Sequence, residues 1–213
     1  DVYEKKLVTQ ESELRFLQSQ INPHFMYNVL CSIALMAQMD GNADIQKMAS
    51  NFAGLTQARL SGGGDVKIPL AQELQYAKFY IELQQMRFGE KISYQVSVSD
   101  EELLTCLVPK LIIEMLVENA VGHGIEPKDG SGTVHVSAGY AENGAIELVV
   151  ADDGVGFEGQ NGEIPLPLDL PVSGNRHNRV ALNTVYKIMQ HLYGPAYGIH
   201  IISYEQIGTT VTI

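Results

Sequence analysis

The stretch AIELVVADDGVGF (residues 145–157) joins an apolar strand pattern to a turn that contains two glycines. Residues 145–151 are predicted to form a strand, joined to an earlier one by a turn at residues 142–144. Gly154 and Gly156 allow the backbone to bend sharply and a flat ligand to approach closely. Asp152 follows the strand, where a carboxylate can accept a hydrogen bond from the exocyclic amine of adenine. The pattern also fits an ordinary acidic turn, so alone it leaves nucleotide binding open.

The sequence on either side of this stretch alternates between helix and strand patterns. Helices mixed with mostly antiparallel strands predict an α+β fold in which helices cover a sheet. The apolar periodicity predicts helices over residues 70–88, 109–121 and 180–192, strands over 92–98, 134–138, 197–204 and 209–213, and a long loop over 159–176.

Residues 1 to about 60 carry the pattern of two amphipathic helices joined by a turn at residues 40–42. Pro23 lacks a backbone donor and should kink the first helix. Two such helices form a hairpin with one apolar seam, and pairing with a second copy would give a four-helix bundle, so a homodimer is predicted. The seam residues are Leu7, Leu14, Leu17, Ile21, His24, Asn28, Cys31 and Leu35 in the first helix, and Ile45, Met48, Phe52, Leu55 and Arg59 in the second.

The run SGGGD (residues 61–65) is the clearest linker in the chain. It predicts a helical domain over residues 1–64 and a second domain over residues 65–213. A formal net charge of −11 argues against a general nucleic-acid-binding surface. No apolar run reaches the roughly 20 residues needed to cross a bilayer.

Three further polar groups are candidate site residues, each with an ordinary alternative. Asn119, late in an apolar helix, could offer its side-chain oxygen to Mg²⁺, which prefers oxygen ligands. His24 lies on the apolar stripe beside Pro23 and one turn before Asn28, and a neutral imidazole can accept a phosphoryl group near pH 7. Thr210 follows Gly208 at the start of the last strand. Taken singly, these could be a helix amide, a core histidine and a strand entry.

The order of these features resembles the sensor histidine kinases of the LytS/YehU type, over nearly the whole chain from about Leu14. That family combines a helical region bearing the acceptor histidine with a Bergerat-type (GHKL) α/β sandwich that binds ATP. The similar segments are QINPHFMYNVL (residues 20–30), ELQYAKFYIELQQMRFGEKI (73–92), LVENAVGHGI (116–125), DDGVGF (152–157) and LYGPAYGIHIISYEQIGTTVTI (192–213).

The resemblance implies a dimeric kinase that autophosphorylates from Mg-ATP and passes the phosphate to an aspartate on the receiver domain of a response regulator. It also implies membrane segments upstream, so the chain would be the cytoplasmic portion of a bacterial cell-membrane protein. In the helical region the implied roles are His24 as phosphoacceptor and Asn28 as its orienting residue with a possible phosphatase role. In the ATP-binding domain they are Asn119 as Mg²⁺ ligand, His123 near the phosphates or as support for the Asn119 helix, Asp152 as the contact to the adenine amine, Gly154 and Gly156 as shaping residues of the adenine pocket, and Thr210 as closing that pocket.

The chain departs from the family in two places. The second glycine box, roughly GxGLxN, corresponds here to residues 179–184 and lacks both glycines, and Gly122 stands where the family usually has lysine. Arg176 or Arg179 is a candidate to supply the missing charge near the phosphates.

These departures leave three alternative functions open. One is a nucleotide-binding pseudokinase or scaffold, and another is a plain dimerisation module. The third is a hydrolase of the gyrase, heat-shock chaperone and mismatch-repair kind. The third is disfavoured, because Met115 occupies the position of the water-activating glutamate in those proteins.

Overall fold

The computed structural model describes residues 23–60, 66–166, 176–195 and 197–213, without the side chains of residues 23–25, 60 and 176–179. The chain divides into two compact units, Asp1–Gly63 and Gly64–Ile213. The predicted linker at residues 61–65 lies outside the described residues. So does the first helix before Pro23, and the kink at that proline therefore stays a prediction.

The first unit contains a hairpin of helices α1 (Pro23–Met39) and α2 (Ala43–Leu60). Asn42 caps the second helix, because its side-chain oxygen accepts a hydrogen bond from the Ile45 N–H at 3.1 Å. Asp44 in the first turn and Arg59 in the last turn of α2 complement the helix dipole. The buried side chains of the hairpin are mostly small, which allows close helix packing; they are Ala37, Ala49, Asn51, Ala53, Leu55 and Ala58.

The predicted apolar seam does not form the contact between these two helices. Leu35 is 58% exposed, and Ile45, Met48 and Phe52 are each 46% exposed. Of the predicted seam residues with described side chains, Leu55 is buried. The prediction of a single seam within the hairpin is therefore wrong, because alanines meet there and the larger apolar side chains face outward. One copy of the hairpin leaves an apolar stripe exposed.

The second unit is built on a six-stranded sheet of order β2-β4-β5-β8-β7-β6, beside a two-stranded sheet of β1 and β3. The helices of this unit are α3 (Leu70–Phe88), α4 (Ile112–Asn119) and α5 (Arg176–Tyr193). The strands are β1 (Lys67–Pro69), β2 (Ile92–Val98), β3 (Leu107–Pro109), β4 (Gly132–Tyr140), β5 (Ile146–Asp152), β6 (Asn161–Ile164), β7 (His200–Tyr204) and β8 (Gly208–Thr212).

The core lies on one face of the large sheet. The strand register aligns Val136, Val150, Val211 and Ile201 in one row across four strands, and each is at most 4% exposed. Because side chains alternate along a strand, this row lies on the face that the helices cover, and the residues between point to the other face. The buried helix residues that join this core include Ala77, Ile81, Leu116, Val117, Leu182 and Val185.

The predicted helix over residues 109–121 and the predicted loop over residues 159–176 differ from the structure. Pro109 belongs to β3, and the following helix starts only at Ile112, because Leu111 adopts a left-handed conformation with φ of 67°. Strand β6 lies inside the predicted loop and pairs with β7. The large sheet is mostly antiparallel, as predicted, and among the described strands β2 and β4 form its one parallel pair.

A buried carboxylate holds α3 against α4. Glu73 is 0% exposed, and its two carboxylate oxygens accept hydrogen bonds from the N–H groups of Leu111 and Ile113. Burial raises the pKa of Glu73 to about 7, with the charge of Glu114 adding to the rise, while these two backbone donors and Lys110 lower it. Glu73 therefore occupies the amide-rich start of α4, where a negative charge is favourable.

Shortening Leu116 tests the core under α4. Leu116 is 2% exposed, so Leu116→Ala should lower the free energy of unfolding of the second unit by about 2–5 kcal/mol, because a cavity remains. Leu107→Ala is the matched control, because Leu107 is 59% exposed and should lose less than about 1 kcal/mol. Urea unfolding of both variants measures this, and equal losses would contradict the assigned core.

Candidate nucleotide-binding site

The helix that carries Asn119 continues beyond this residue with a wider helical turn. Helix α4 continues into a π-helical turn at Ala120–Ile125, a distortion that is frequent at functional sites. Asn119 is 9% exposed, and its side-chain oxygen is buried without a hydrogen-bond partner in the described part of the chain. Buried polar atoms are normally paired, so an orphaned amide oxygen is suited to a ligand that supplies the missing contact.

Asn119 opens into a cleft of ≈ 630 Å³ between α3, α4, the π turn and α5. His123 lines the same cleft. Glu118 lines it as well. The lining residues are Tyr80, Gln84, Arg87, Met115, Glu118, Asn119, Gly122, His123, Glu126, Val180, Ala181 and Thr184.

The π turn meets the DDGVGF segment through a close backbone contact. A Cβ atom at Gly154 would overlap the backbone of Gly124, and one at Gly124 would overlap the carboxylate of Asp152. The carbonyl of Gly124 accepts a hydrogen bond from the Val155 N–H at 2.9 Å. The two glycines therefore allow the turn after Asn119 to lie directly on the turn after Asp152.

The carboxylate of Asp152 is half-buried and held by backbone donors. The N–H groups of Gly154, at 2.9 Å, and of Thr209 donate to it. Burial is the main cause that raises the pKa of Asp152 to about 6, with the neighbouring Asp153 adding to the rise, while both donors and Lys128 oppose it. An acceptor fixed in this way can recognise an amine donor such as that of adenine.

The neighbour of Asp152 on the last strand is Thr209 and not Thr210. The register pairs Asp152 with Thr209 and Thr209 with Ser203, which places these three residues in one row on the core face. Thr210 pairs with Ala151 and lies on the opposite face, so it does not face Asp152. Sequence alone could not distinguish two adjacent threonines, because a shift of one residue reverses the face.

Ser203 joins this row to the glycine turn. Its hydroxyl is buried, accepts a hydrogen bond from the Phe157 N–H at 3.0 Å and lies 2.9 Å from the Thr209 hydroxyl. Gly156 has φ of 66° and packs against the backbone of Tyr204, a conformation that few residues other than glycine adopt. The turn of residues 152–157 is thus fixed from β7, which the sequence did not reveal.

A second set of contacts fixes the other side of the turn. Asp153 accepts a hydrogen bond from the Thr133 N–H at 2.8 Å, and the Lys128 ammonium lies 3.1 Å from the same carboxylate oxygen. Lys128 also donates to the Asp153 carbonyl at 2.6 Å. Asp153 therefore anchors the turn of residues 152–157, through Thr133 of β4 and through Lys128.

The remaining predicted site residues lie elsewhere or are only partly described. His24 belongs to the first turn of α1, and Asn28, one turn later, is exposed. Arg176 and Arg179 lie in the first turn of α5. Since the side chains of His24, Arg176 and Arg179 are outside the described residues, their predicted roles stay predictions.

Comparison with known proteins places these features in a family context. Residues 12–92 match a family model described as histidine kinase. The chain is 30% identical over 210 residues to the sensor histidine kinase YesM of Bacillus subtilis (strain 168), covering 99% of this chain and 34% of YesM. It is 30% identical over 203 residues to the sensor protein LytS of Bacillus anthracis, covering 95% of this chain and 34% of LytS.

The chain is similar to LytS-type sensor histidine kinases over most of its length. It spans about a third of the length of the curated relatives it matches. Full-length ShkA in complex with AMPPNP shares its fold, with a TM-score of 0.51 and 13% identity over 98% of this chain and 44% of ShkA. No helix in the described ranges is both long and apolar enough for a membrane span.

Three cleft residues of this histidine kinase relative were not predicted as site residues. Tyr80, Gln84 and Arg87 line the cleft from α3. Their spacing of four and three residues places them on one helix face, and that spacing is the signal that could have identified them. They lie within the segment 73–92 that resembles the family.

The contact between the two glycine-containing turns can be tested by adding one methyl group. Gly154→Ala should destabilise the second unit by about 1–3 kcal/mol, because the new Cβ would overlap the Gly124 backbone. Gly139→Ala is the matched control, because its Cβ would meet only the Ser99 hydroxyl at 3.6 Å. Thermal and urea unfolding measure the difference, and a neutral Gly154→Ala would contradict the close approach.

Proposed function

We propose that this chain is the kinase core of a sensor histidine kinase, which moves the γ-phosphate of ATP onto His24. The orphaned amide oxygen of Asn119 carries the proposal. This oxygen is buried, Asn119 lines the cleft, and the π turn that follows Asn119 packs on Asp152. A polar ligand with a base at one end and phosphates at the other fits this arrangement.

The adenine end of the nucleotide would lie at the turn of residues 152–157. Asp152 would accept a hydrogen bond from the exocyclic amine of adenine, since two backbone donors already fix its orientation. Gly154 and Gly156 keep side chains out of the turn, and Thr209 lies beside Asp152 in the place that we expected for Thr210.

The phosphate end would lie in the cleft beside Asn119 and His123. The side-chain oxygen of Asn119 fits Mg²⁺, which binds few protein ligands and keeps phosphate oxygens and waters. Bound there, Mg²⁺ would neutralise charge on the phosphates. Met115 lines the cleft at the position where related hydrolases have a water-activating glutamate, which favours transfer to a protein group over hydrolysis.

In the transfer step, an imidazole nitrogen of His24 would attack the γ-phosphorus of ATP. A P–N bond forms, the bond between the γ-phosphorus and the bridging oxygen breaks, and ADP leaves with that electron pair. Asn28, four residues later in α1, would orient the ring. The phosphohistidine would then pass its phosphate to an aspartate of a response regulator receiver domain.

The two units would divide this work. Residues 1–64 would dimerise and carry His24, and residues 65–213 would bind ATP. The exposed Ile33, Met36, Met48 and Phe52 of the hairpin support pairing with a second copy into a four-helix bundle. In this proposal the complete protein is tethered to the bacterial membrane by segments outside this chain, with this part in the cytoplasm.

The acceptor assignment is tested by replacing the histidine. His24→Asn should abolish labelling by γ-³²P-ATP and leave ATP affinity within about twofold, because the proposed nucleotide site lies in the other unit. The wild-type label should be acid-labile and should require Mg²⁺. Autoradiography and calorimetry measure labelling and binding.

His191→Asn is the matched control, since this histidine is exposed near the end of α5 and should label normally. Undiminished labelling of His24→Asn would contradict the acceptor assignment. ATP binding without any labelling of the wild type would contradict kinase activity itself.

The proposed hydrogen bond between Asp152 and the adenine amine is tested by measuring binding at different pH values. With a pKa of about 6, Asp152 is ionised at pH 7 and mostly protonated at pH 5. Protonation weakens the acceptor, so adenosine affinity should fall by up to about tenfold between pH 7 and pH 5. Adenosine is the probe because it has no phosphate that titrates in this range.

Asp152→Asn should bind adenosine about tenfold more weakly at pH 7 and show no such pH dependence, because its amide adds a donor toward the adenine amine. Glu158→Gln, which removes an exposed charge from the following turn, should keep the wild-type profile. An unchanged profile in Asp152→Asn would assign the titration to another group.

A further inference from the structure

The cleft beside Asn119 contains little positive charge for a ligand with phosphates. Among its described lining residues, Arg87 is the single lysine or arginine, whereas Glu118 and Glu126 are acidic. The chain as a whole carries a formal net charge of −11. Since phosphate recognition depends on cationic donors, Arg87 is the described side chain of the cleft that is best suited to bind phosphates.

Arg87 is placed at the cleft by the helix that carries it. It lies in the last turn of α3, on the same face as Tyr80 and Gln84, which also line the cleft. The first turn of this helix is fixed to the start of α4 by the hydrogen bonds of Glu73. The register of α3 along α4, and with it the position of Arg87 relative to Asn119, is therefore set from within the core.

The present contacts of Arg87 are weak enough to exchange. Its guanidinium lies 3.5 Å from a carboxylate oxygen of Glu126, and the two side chains are 65% and 41% exposed. The guanidinium also stacks over the Phe88 ring, 4.4 Å from its centroid. Exposed pairs of this length contribute little, so a phosphate oxygen can compete with Glu126. The stacked ring keeps the guanidinium at the edge of the cleft.

We propose that Arg87 binds the terminal phosphates of the nucleotide, leaving Glu126 when the nucleotide enters. The guanidinium can donate two parallel hydrogen bonds to phosphate oxygens, which an ammonium group cannot. In the free protein the Glu126 carboxylate pairs with Arg87 and repels phosphate, so it competes with the nucleotide for this arginine. This proposal rests on the proposed function of the cleft.

The test compares ligands that differ only in phosphates. Adenosine, ADP and ATP with Mg²⁺ are titrated by calorimetry into the whole chain and into Arg87→Gln. Arg87→Gln should bind ATP at least about tenfold more weakly than the wild type does. Its affinity for ADP should fall less, and its affinity for adenosine should stay within about twofold of the wild-type value. Arg87→Lys should recover part of the ATP affinity, because it keeps the charge and loses the paired donors.

Two further variants separate this role from a general charge effect. Lys78→Gln removes the same charge from an exposed position on α3 and should leave all three affinities unchanged. Glu126→Gln should strengthen ATP binding about two- to fivefold and leave adenosine unchanged, because the competing carboxylate is gone.

Each contrary result has a distinct meaning. Equal weakening of adenosine and ATP in Arg87→Gln would show a structural role and overturn the proposal, as would unchanged ATP affinity. Loss of ATP affinity in Lys78→Gln to the same extent would show a non-specific field effect and also overturn it. Failure of the wild type to bind adenosine or ATP would instead overturn the proposed function of the cleft.

Discussion

The second unit depends on one buried carboxylate, that of Glu73. Removing a carboxylate from water is costly, and its pKa of about 7 reflects that cost. The cost is offset only where donors converge, and the left-handed Leu111 allows its own N–H and that of Ile113 to meet the same side chain. Two helices that are distant in sequence are thereby joined at their first turns, and a wall of the cleft follows from this contact.

The start of α4, which Glu73 holds, is connected through the backbone to the proposed base pocket. Helix α4 leads to Asn119, and its continuation as a π turn brings Gly124 onto Gly154 and Asp152. Backbone atoms in direct contact leave little room for independent movement, since packed interiors do not deform continuously. The proposed phosphate end and the proposed base end of the site are therefore parts of one packed segment, and the spacing between them is set by the backbone.

Sequence patterns predicted the elements with strong periodicity and failed where tertiary contacts decide. The bounds of α3 and β2 match their predicted residues, because each carries an unbroken apolar period. Strand β6 has no such period and exists through its pairing with β7. Thr209 and Thr210 differ only by register, which depends on the neighbouring strand. Asn119, His123 and Asp152 were recognisable as site candidates from their motifs. Arg87 shares only a helical spacing with Tyr80 and Gln84, and Ser203 required the folded neighbours.

The two missing glycines of the second glycine box have a structural explanation. Arg179 and Ala181 both lie within helix α5, and neither has a positive φ, so glycine is not needed there for its conformational freedom. Glycine is needed where a side chain would overlap backbone, at Gly154, and where φ is positive against a neighbouring strand, at Gly156, and both are present. The departure therefore changes which side chains face the cleft, with Ala181 as one of them, and leaves the backbone of the base pocket unstrained. In the proposed site, phosphate binding without these two glycines would depend more strongly on the few cations that the helices of this acidic chain bring to the cleft.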